Sequence, residues 1–205
     1  MNKPNRPAEP SRDWKIESCE RVYKGFYTIE KFLFRHALFG GGQSELVERE
    51  QFVRGNVAGV IAHDPKLDRI ALVEQFRIGA RNHGDHPWLL EVIAGMIEPS
   101  EKPQDVAVRE AYEEAGIRLV NVREVVHYLG SPGSSSEEVY IFYAETDLSE
   151  ASGVHGLESE NEDILLHVLD SDDAIDMLES GKVCNALSII ALQWFRHHRL
   201  QTKQT

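Results

Sequence analysis

Residues 95–117, GMIEPSEKPQDVAVREAYEEAGI, concentrate acidic side chains in a stretch that also carries the signals of a helix. Pro103 suits the first helical turn, because the N–H that proline lacks would have no partner there. Gly116 suits the end, because helices commonly finish on a left-handed residue and glycine adopts that conformation without strain. The sequence therefore predicts a helix between these two residues.

The predicted helix has two chemically different faces. At about 100° per residue, its charged residues cluster on one side of the helical wheel. They are Arg109, Glu110, Glu113 and Glu114. The small apolar residues fall about 100–160° away from Glu110. They are Val108, Ala111 and Ala115. We expect this apolar face to pack closely against a sheet and the glutamates to lie on the other face.

So many carboxylates on one helix face need a physical reason. Like charges three or four residues apart repel, and glutamates near a helix C-terminus oppose the helix dipole. A solvated acidic face is the general alternative. A hard divalent cation makes the cluster favourable, because Mg²⁺ prefers oxygen ligands and keeps coordination positions for a substrate phosphate. Arg109 would then be a fixed counter-charge that orients a neighbouring glutamate.

The composition excludes several classes of protein. The 205 residues are 41% hydrophobic and 27% charged, which is typical of a globular domain. The net charge of -12 argues against binding nucleic acid, although a nucleotide could bind through a metal ion or local arginines. Cys19 and Cys184 lack the spacing of a metal or redox pair, and no apolar run approaches membrane-spanning length. We expect a soluble, cytoplasmic protein that does not contact membranes.

The order of the segments predicts an α+β fold. Residues 1–13 are polar and proline-rich and are expected to form a flexible tail. Residues 14–56 hold three partly alternating stretches (WKIESCERVY, FYTIEKFLFRHAL and SELVEREQFVR), which predict an antiparallel β region. Residues 57–205 hold strand candidates before the charged helix (NVAGVIAHD, RIALVEQFR and WLLEVIAG) and after it (LVNVREVVHYLG, EEVYIFYAETD and DILLHVLD). Two helices follow, at about 171–180 and 185–198, so we expect helices on both sides of a mixed sheet.

The charged stretch resembles the Nudix box of the Nudix hydrolase superfamily. Gly95 is followed after five residues by Glu101, and after seven more by residues 109–117, REAYEEAGI, so every defining position is filled. Nudix enzymes use Mg²⁺ held by this loop–helix–loop to cleave the pyrophosphate of a nucleoside diphosphate linked to another group. The resemblance implies a Nudix α/β/α sandwich with a mixed sheet over residues 57–205.

Segments outside the box resemble the ADP-ribose pyrophosphatase subfamily. They include EQFRIGARNHGDHPWLLEVIAGMIE before the box and SPGSSSE, SGVHGLESENEDILLHVL and GKVCNALSIIALQWF after it. Pro132 lies where a proline accompanies ADP-ribose preference in that subfamily. The resemblance also implies a homodimer in which residues 14–56 are exchanged between subunits and contact the substrate.

The resemblance implies roles for particular side chains. Glu110 and Glu114 would be the main metal ligands, near the backbone carbonyl of Ala94, and Glu162 would complete the metal site. Glu160 would deprotonate the attacking water. The residues alone leave this last choice open, because Glu158, Glu160 and Glu162 alternate in one acidic loop.

Further roles come from the same resemblance. The box makes Arg109 and Glu113 part of the catalytic set. Substrate contacts are implied for residues on both sides of the box. Arg54 and Arg77 would contact the diphosphate or terminal ribose, Phe26 and Arg49 would enclose the adenine, Glu137 would touch the ribose side, and Met96 and Pro132 would line the site.

The implied reaction is metal-dependent hydrolysis of ADP-ribose to AMP and ribose 5-phosphate. Mg²⁺ is the expected ion, with Mn²⁺ or another divalent cation able to substitute. One alternative keeps the chemistry and changes the substrate to GDP-mannose or another nucleotide sugar. A second alternative is a non-catalytic sensor of ADP-ribose, which the complete set of box carboxylates disfavours.

Overall fold

The computed structural model describes residues 11–202, which divide into two compact units. The N-terminal unit comprises residues 11–54 and 131–137, and the main unit comprises residues 55–130 and 138–202. Most of the expected flexible tail, residues 1–10, lies outside the described residues.

The N-terminal unit is built on one three-stranded antiparallel sheet in the order β1-β2-β3. Its strands are β1 (Trp14–Lys24), β2 (Thr28–His36) and β3 (Val47–Val53). The predicted antiparallel region is therefore confirmed. β1 is exposed along its entire length. Within the described residues, this unit contributes no apolar side chain to the buried core.

The main unit is a mixed sheet with helices. Its strands are β4 (Val57–Asp64), β5 (Arg69–Phe76), β6 (Trp88–Glu91), β7 (Ile93–Met96), β8 (Val120–Leu129), β9 (Glu138–Glu145), β10 (Val154–His155) and β11 (Ile164–Asp170), and its helices are α1 (Pro103–Ala115), α2 (Ser171–Glu179) and α3 (Ala186–Thr202). The sheet order is β10-β11-β5-β4-β9-β8, with β6 on β5 and β7 on β4. Only β4 and β9 pair in parallel among these strands, so the predicted mixed sheet is confirmed.

Two apolar clusters fix the layers of the main unit. One joins α1 to the sheet through small residues, and its helical members are Val106, Ala107, Ala111 and Ala115. The other joins α2 and α3 to the sheet, and its helical members are Ala174, Leu178, Ala191, Leu192 and Phe195. The predicted α/β/α sandwich is therefore confirmed. Within residues 11–202, no helix combines the length and apolar character that crossing a membrane requires.

The single strand expected over WLLEVIAG is in fact two strands. β6 pairs with β5, whereas β7 pairs with β4, and the chain changes partner at Val92. The Val92 N–H donates to Ser188 Oγ at 2.9 Å, so α3 satisfies the backbone group that the break leaves unpaired. An apolar run does not reveal such a change of partner, because both halves are equally suited to a strand.

Part of the predicted division of α1 is wrong: Ala111 and Ala115 are buried as expected, but Val108 and Glu114 do not lie on the predicted faces. Val108 is 41% exposed, whereas Glu114 is only 3% exposed. The buried face is centred on Ala107, Ala111 and Glu114, which lie on one side of the wheel at about 100° per residue. Glu114 therefore points into the protein on the side that packs against the sheet. This burial creates the candidate site.

Candidate active site

Helix α1 carries two carboxylates toward the sheet. Lys102 precedes the helix in an extended conformation, and Pro103 begins it as predicted. Gly116 ends it with φ of 65°, and its N–H donates to the Tyr112 carbonyl at 2.9 Å. In the last turn of this helix, Glu114 Oε2 accepts a hydrogen bond from the backbone N–H of Ala94 in β7 at 3.1 Å.

Burial makes both helix carboxylates reluctant to ionise. Loss of solvent raises the pKa of Glu114 to about 8, and the neighbouring Glu110 carboxylate adds to the rise. The Ala94 N–H and the charge of Arg77 act in the opposite direction. Burial also raises the pKa of Glu110, although Arg109 partly compensates, while Glu113 and Glu162 add to the rise. The pair is therefore a site where a cation would be strongly favourable.

Arg109 links the acidic residues of the box. Its Nη1 donates to Glu110 Oε1 at 2.8 Å and to Glu113 Oε2 at 2.9 Å. Its Nε donates to Glu101 Oε1 at 3.1 Å, and its Nη2 reaches the Met96 carbonyl at 3.5 Å. Together these carboxylates raise the pKa of Arg109 despite its partial burial. The arrangement fits the expected counter-charge, and it fixes the direction of Glu110.

Gly95 allows Glu110 to lie against β7. A Cβ atom at position 95 would fall 1.7 Å from Glu110 Oε1 and 2.0 Å from its Cδ. No side chain fits there, so the glycine that opens the box is required by the close approach of the carboxylate to the strand.

The acidic loop after β10 is tied to α1 at its first residues. The Gly156 N–H donates to the Glu113 carbonyl at 3.1 Å. Glu162 Oε2 accepts from the Leu157 N–H at 3.1 Å, which folds the loop back on itself. Charge on Glu162 also raises the pKa of both Glu110 and Glu114, so the loop brings a third carboxylate near the pair. Glu158 and Glu160 lie on a short 3-10 helix with exposed side chains.

Arg77 is held by a carboxylate that sequence reasoning missed. It follows β5, and its Nε and Nη2 donate to Glu91 Oε2 at 2.9 and 2.8 Å. Asn185 Nδ2 donates to the other oxygen, Glu91 Oε1, at 2.9 Å. The signal that could have revealed Glu91 is a carboxylate inside the apolar run WLLEVIAG, because a buried charge needs a partner.

The remaining predicted substrate residues belong to the N-terminal unit. Arg54 and Glu137 form an ion pair at 3.2 Å. Phe26 is 86% exposed in the β1–β2 turn and contacts Tyr27 edge to face. Arg49 lies in β3 and donates to the Glu48 carbonyl at 2.7 Å. The structure thus brings Arg54 and Glu137 together. Within the described part of this unit, Phe26 and Arg49 make separate contacts, and Pro132 is exposed in the segment 131–137.

The donor set fits a divalent metal ion. Within residues 11–202, no three His, Cys, Asp or Glu side chains already form a complete metal cage. Glu110, Glu114 and Glu162 nevertheless repel one another at close range, and the first two have raised pKa values. Hard carboxylate oxygens in this state are ligands that Mg²⁺ or Mn²⁺ would stabilise, with substrate and water supplying the other positions.

We expect Gly95→Ala to weaken divalent-metal binding by at least about tenfold, the scale at which misplaced supporting groups affect metal sites. The added methyl group would displace the Glu110 carboxylate and would also cost about 1–3 kcal/mol of stability through overpacking. Mn²⁺ titration followed by paramagnetic resonance measures the affinity. Gly40→Ala is the matched control, because a Cβ there meets nothing within 4 Å. Equal affinities in the two variants would contradict the close approach.

Glu114 should make the metal-free protein less stable as the pH rises. Its pKa increases from 4.5 to about 8 on folding, so between these values the folded chain holds a proton that the unfolded chain releases. The stabilisation is complete below pH 4.5 and is lost toward pH 8, by at most about 1.4 kcal/mol per pH unit. Urea unfolding in EDTA between pH 6.5 and 8 should show a steeper decline for the wild type than for Glu114→Gln. Parallel curves would refute the assignment.

The sequence of the chain is similar to proteins of known family. A NUDIX domain model matches residues 53–203. The chain is 44% identical over 197 residues to the ADP-ribose pyrophosphatase of Haemophilus influenzae, covering 95% of this chain and 91% of that protein. It is 46% identical over 191 residues to the ADP-ribose pyrophosphatase of Escherichia coli strain K12, covering 93% and 91%.

More distant similarities agree. The GDP-mannose pyrophosphatase of Yersinia pestis is 30% identical over 191 residues, covering 90% of this chain and 93% of that protein. A crystal structure described as an ADP compounds hydrolase superposes with a TM-score of 0.72 at 19% identity, covering 97% of this chain and all of that one, which supports the fold. With a domain match over most of its length and relatives at this level of identity, the chain belongs to the NUDIX domain family.

Proposed function

We propose that this protein hydrolyses the pyrophosphate bond of ADP-ribose, releasing AMP and ribose 5-phosphate. The observation that carries the chemistry is the pair of α1 carboxylates formed by half-buried Glu110, held by Arg109, and buried Glu114, held by the Ala94 N–H. The substrate is supported by the relatives at 44% and 46% identity, which are ADP-ribose pyrophosphatases over nearly their whole length. The proposal includes other ADP-sugars as secondary substrates.

The proposed cofactor is Mg²⁺, for which Mn²⁺ or another divalent ion can substitute. Enzymes of this family generally use a divalent metal. Glu110, Glu114 and Glu162 would hold it together with the carbonyl of Ala94. When bound, the ion offsets negative charge on the diphosphate and makes water easier to deprotonate. Glu162 Oε2 accepts from the Leu157 N–H in the structure, and a carboxylate can keep such a hydrogen bond while it binds a metal ion.

The protein's own groups would orient the reaction. Arg109 fixes Glu110 and keeps Glu113 from turning toward the pair. Glu160, on the exposed side of its loop, would accept the proton of the attacking water at its carboxylate. An exposed polar loop of this kind suits a segment that closes over the active site when substrate offers partners, and this character supports the proposal.

The predicted substrate contacts are proposed residue by residue. Arg77 and Arg54 would contact the diphosphate or terminal ribose, and Met96 and Pro132 would line the site. Phe26 and Arg49 would enclose the adenine, while Glu137 would touch the ribose side. Arg54 and Glu137 already form an ion pair, so substrate binding would rearrange it.

We also propose that the protein is a homodimer that exchanges its N-terminal strands and acts in the cytoplasm. Support for the dimer comes from β1, which is exposed along its length and carries uncovered apolar side chains such as Trp14 and Tyr23. Exposed edge strands of this kind are commonly covered in native assemblies.

The substrate assignment predicts preferential AMP release from ADP-ribose. Purified protein with Mg²⁺ is incubated with ADP-ribose, ADP-glucose, GDP-mannose, NADH and dGTP, and products are followed by chromatography. Glu114→Gln should lower kcat by at least about 100-fold, the scale of losing one electrostatic contact in the transition state. KM should change far less, because metal charge acts mainly on the transition state.

Three other results of this assay would each have a definite meaning. Near-normal turnover by Glu114→Gln would refute the role of that residue. Preferential turnover of GDP-mannose would retain the chemistry and replace the substrate, as the relative at 30% identity allows. Binding of ADP-ribose without turnover of any compound would favour a non-catalytic sensor.

The loop assignment predicts different defects for three neighbouring glutamates. Glu160→Gln should lower kcat by about 10²–10⁴-fold, the contribution expected of a general base. Glu162→Gln should instead raise the Mg²⁺ concentration needed for half-maximal rate. Glu158→Gln, on the same 3-10 helix as Glu160, is the matched control and should behave like the wild type. If Glu158→Gln lost most of its kcat while Glu160→Gln remained normal, Glu158 would be the general base instead of Glu160.

A further inference from the structure

Glu91 is a buried carboxylate within the strand that leads to the site. It ends β6 and is 8% exposed. A buried carboxylate is costly unless each oxygen has a hydrogen-bond partner. Both oxygens are satisfied: Oε2 accepts from Arg77, and Oε1 accepts from Asn185 Nδ2 at 2.9 Å. Glu91 is therefore the middle member of a three-residue chain.

Asn185 is itself fixed by the start of α3. Its Oδ1 accepts from the Ser188 N–H at 2.8 Å, the capping contact that a residue preceding a helix provides. Both ends of its amide thus have partners, because Nδ2 donates to Glu91 while Oδ1 caps the helix. The buried Ser188 in turn accepts the Val92 N–H through Oγ at 2.9 Å. The start of α3 consequently fixes both the backbone at the β6–β7 break and the Glu91 side chain by hydrogen bonds.

Arg77 is bound by Glu91 and also acts on Glu114 through its charge. Its side chain is 44% exposed, and Glu91 binds Nε and Nη2 but not Nη1. Its positive charge is close enough to Glu114 to oppose the rise in the pKa of that group. An arginine otherwise loses considerable rotamer freedom when it binds a phosphate.

We propose that Glu91 and Asn185 are positioning residues that hold Arg77 ready for the diphosphate of the substrate. This inference rests on the proposed function. Asn185 orients Glu91, and Glu91 binds Arg77 through its Nε and Nη2, which leaves the rest of the guanidinium available. Preorganisation of this kind removes the need to order a long side chain each time substrate binds.

The sharpest test is a double-mutant cycle with Asn185→Ser and Arg77→Ala. Serine retains a helix-capping oxygen, but it is too short to donate to Glu91. In the wild-type background, Asn185→Ser and Glu91→Gln should each lower kcat/KM about tenfold, mainly by raising KM. In the Arg77→Ala background, the same changes should lower it less than about twofold, because the side chain being positioned is gone.

Glu74→Gln is the matched control. Glu74 lies in the neighbouring strand, paired opposite Leu90, and it also binds a basic side chain, His167, at 2.8 Å. Losing that pair should leave kcat and KM unchanged. Equal losses from Asn185→Ser in both Arg77 backgrounds would overturn the inference, because a merely structural role does not depend on Arg77. No loss in either background would overturn it as well.

A second readout does not depend on turnover. In ¹⁵N NMR spectra of the free protein, the Nε–H of Arg77 should give a slowly exchanging signal that Arg77→Lys removes. Asn185→Ser and Glu91→Gln should broaden that signal, whereas Glu74→Gln should not. An unaffected signal in both site variants would contradict the positioning role. If the wild type fails to hydrolyse ADP-ribose, the proposed function fails, and the NMR comparison still decides whether Glu91 and Asn185 fix Arg77.

Discussion

The main unit depends on one unfavourable interaction, the burial of Glu114 and the partial burial of Glu110 where α1 meets the sheet. Burying a carboxylate is costly unless hydrogen bonds, opposite charge or a metal compensates. Glu114 accepts one hydrogen bond from the Ala94 N–H, and Glu110 accepts one from the Arg109 guanidinium. This compensation is incomplete, and the pKa of each glutamate is raised as a result. The surrounding residues either allow α1 to lie close to the sheet or offset the negative charge of the glutamates.

Small residues permit the approach. Ala107, Ala111 and Ala115 let the helix lie near the sheet, and Gly95 leaves room for the Glu110 carboxylate against β7. Arg109 offsets the charge by binding Glu110, Glu113 and Glu101 at once. The spacing of the box thus has a physical origin: its glycine, its arginine and its glutamates solve one packing and charge problem together.

The sequence could predict what local chemistry decides. Pro103 and Gly116 mark the ends of α1, and apart from β10 and the break at Val92 the strands lie where alternation and turn residues indicate them. The burial of Glu114 in place of Val108 could not be predicted from polarity, because a helical wheel based on hydrophobicity assigns every glutamate to the solvent face. The hydrogen bond from the Asn185 amide to Glu91 could not be predicted either, because the two residues are distant in the chain and meet only after folding.

The position of Glu91 resolves a conflict within this site. The charge of Arg77 acts on Glu114, and a direct ion pair between the two residues would neutralise the proposed metal ligand. Glu91 offers Arg77 a closer carboxylate, and Asn185 keeps that carboxylate in place. Arg77 therefore acts on Glu114 through its field while its hydrogen bonds go elsewhere. Glu114 therefore keeps its raised pKa and holds a proton below about pH 8, and a cation from outside the chain would take the place of that proton.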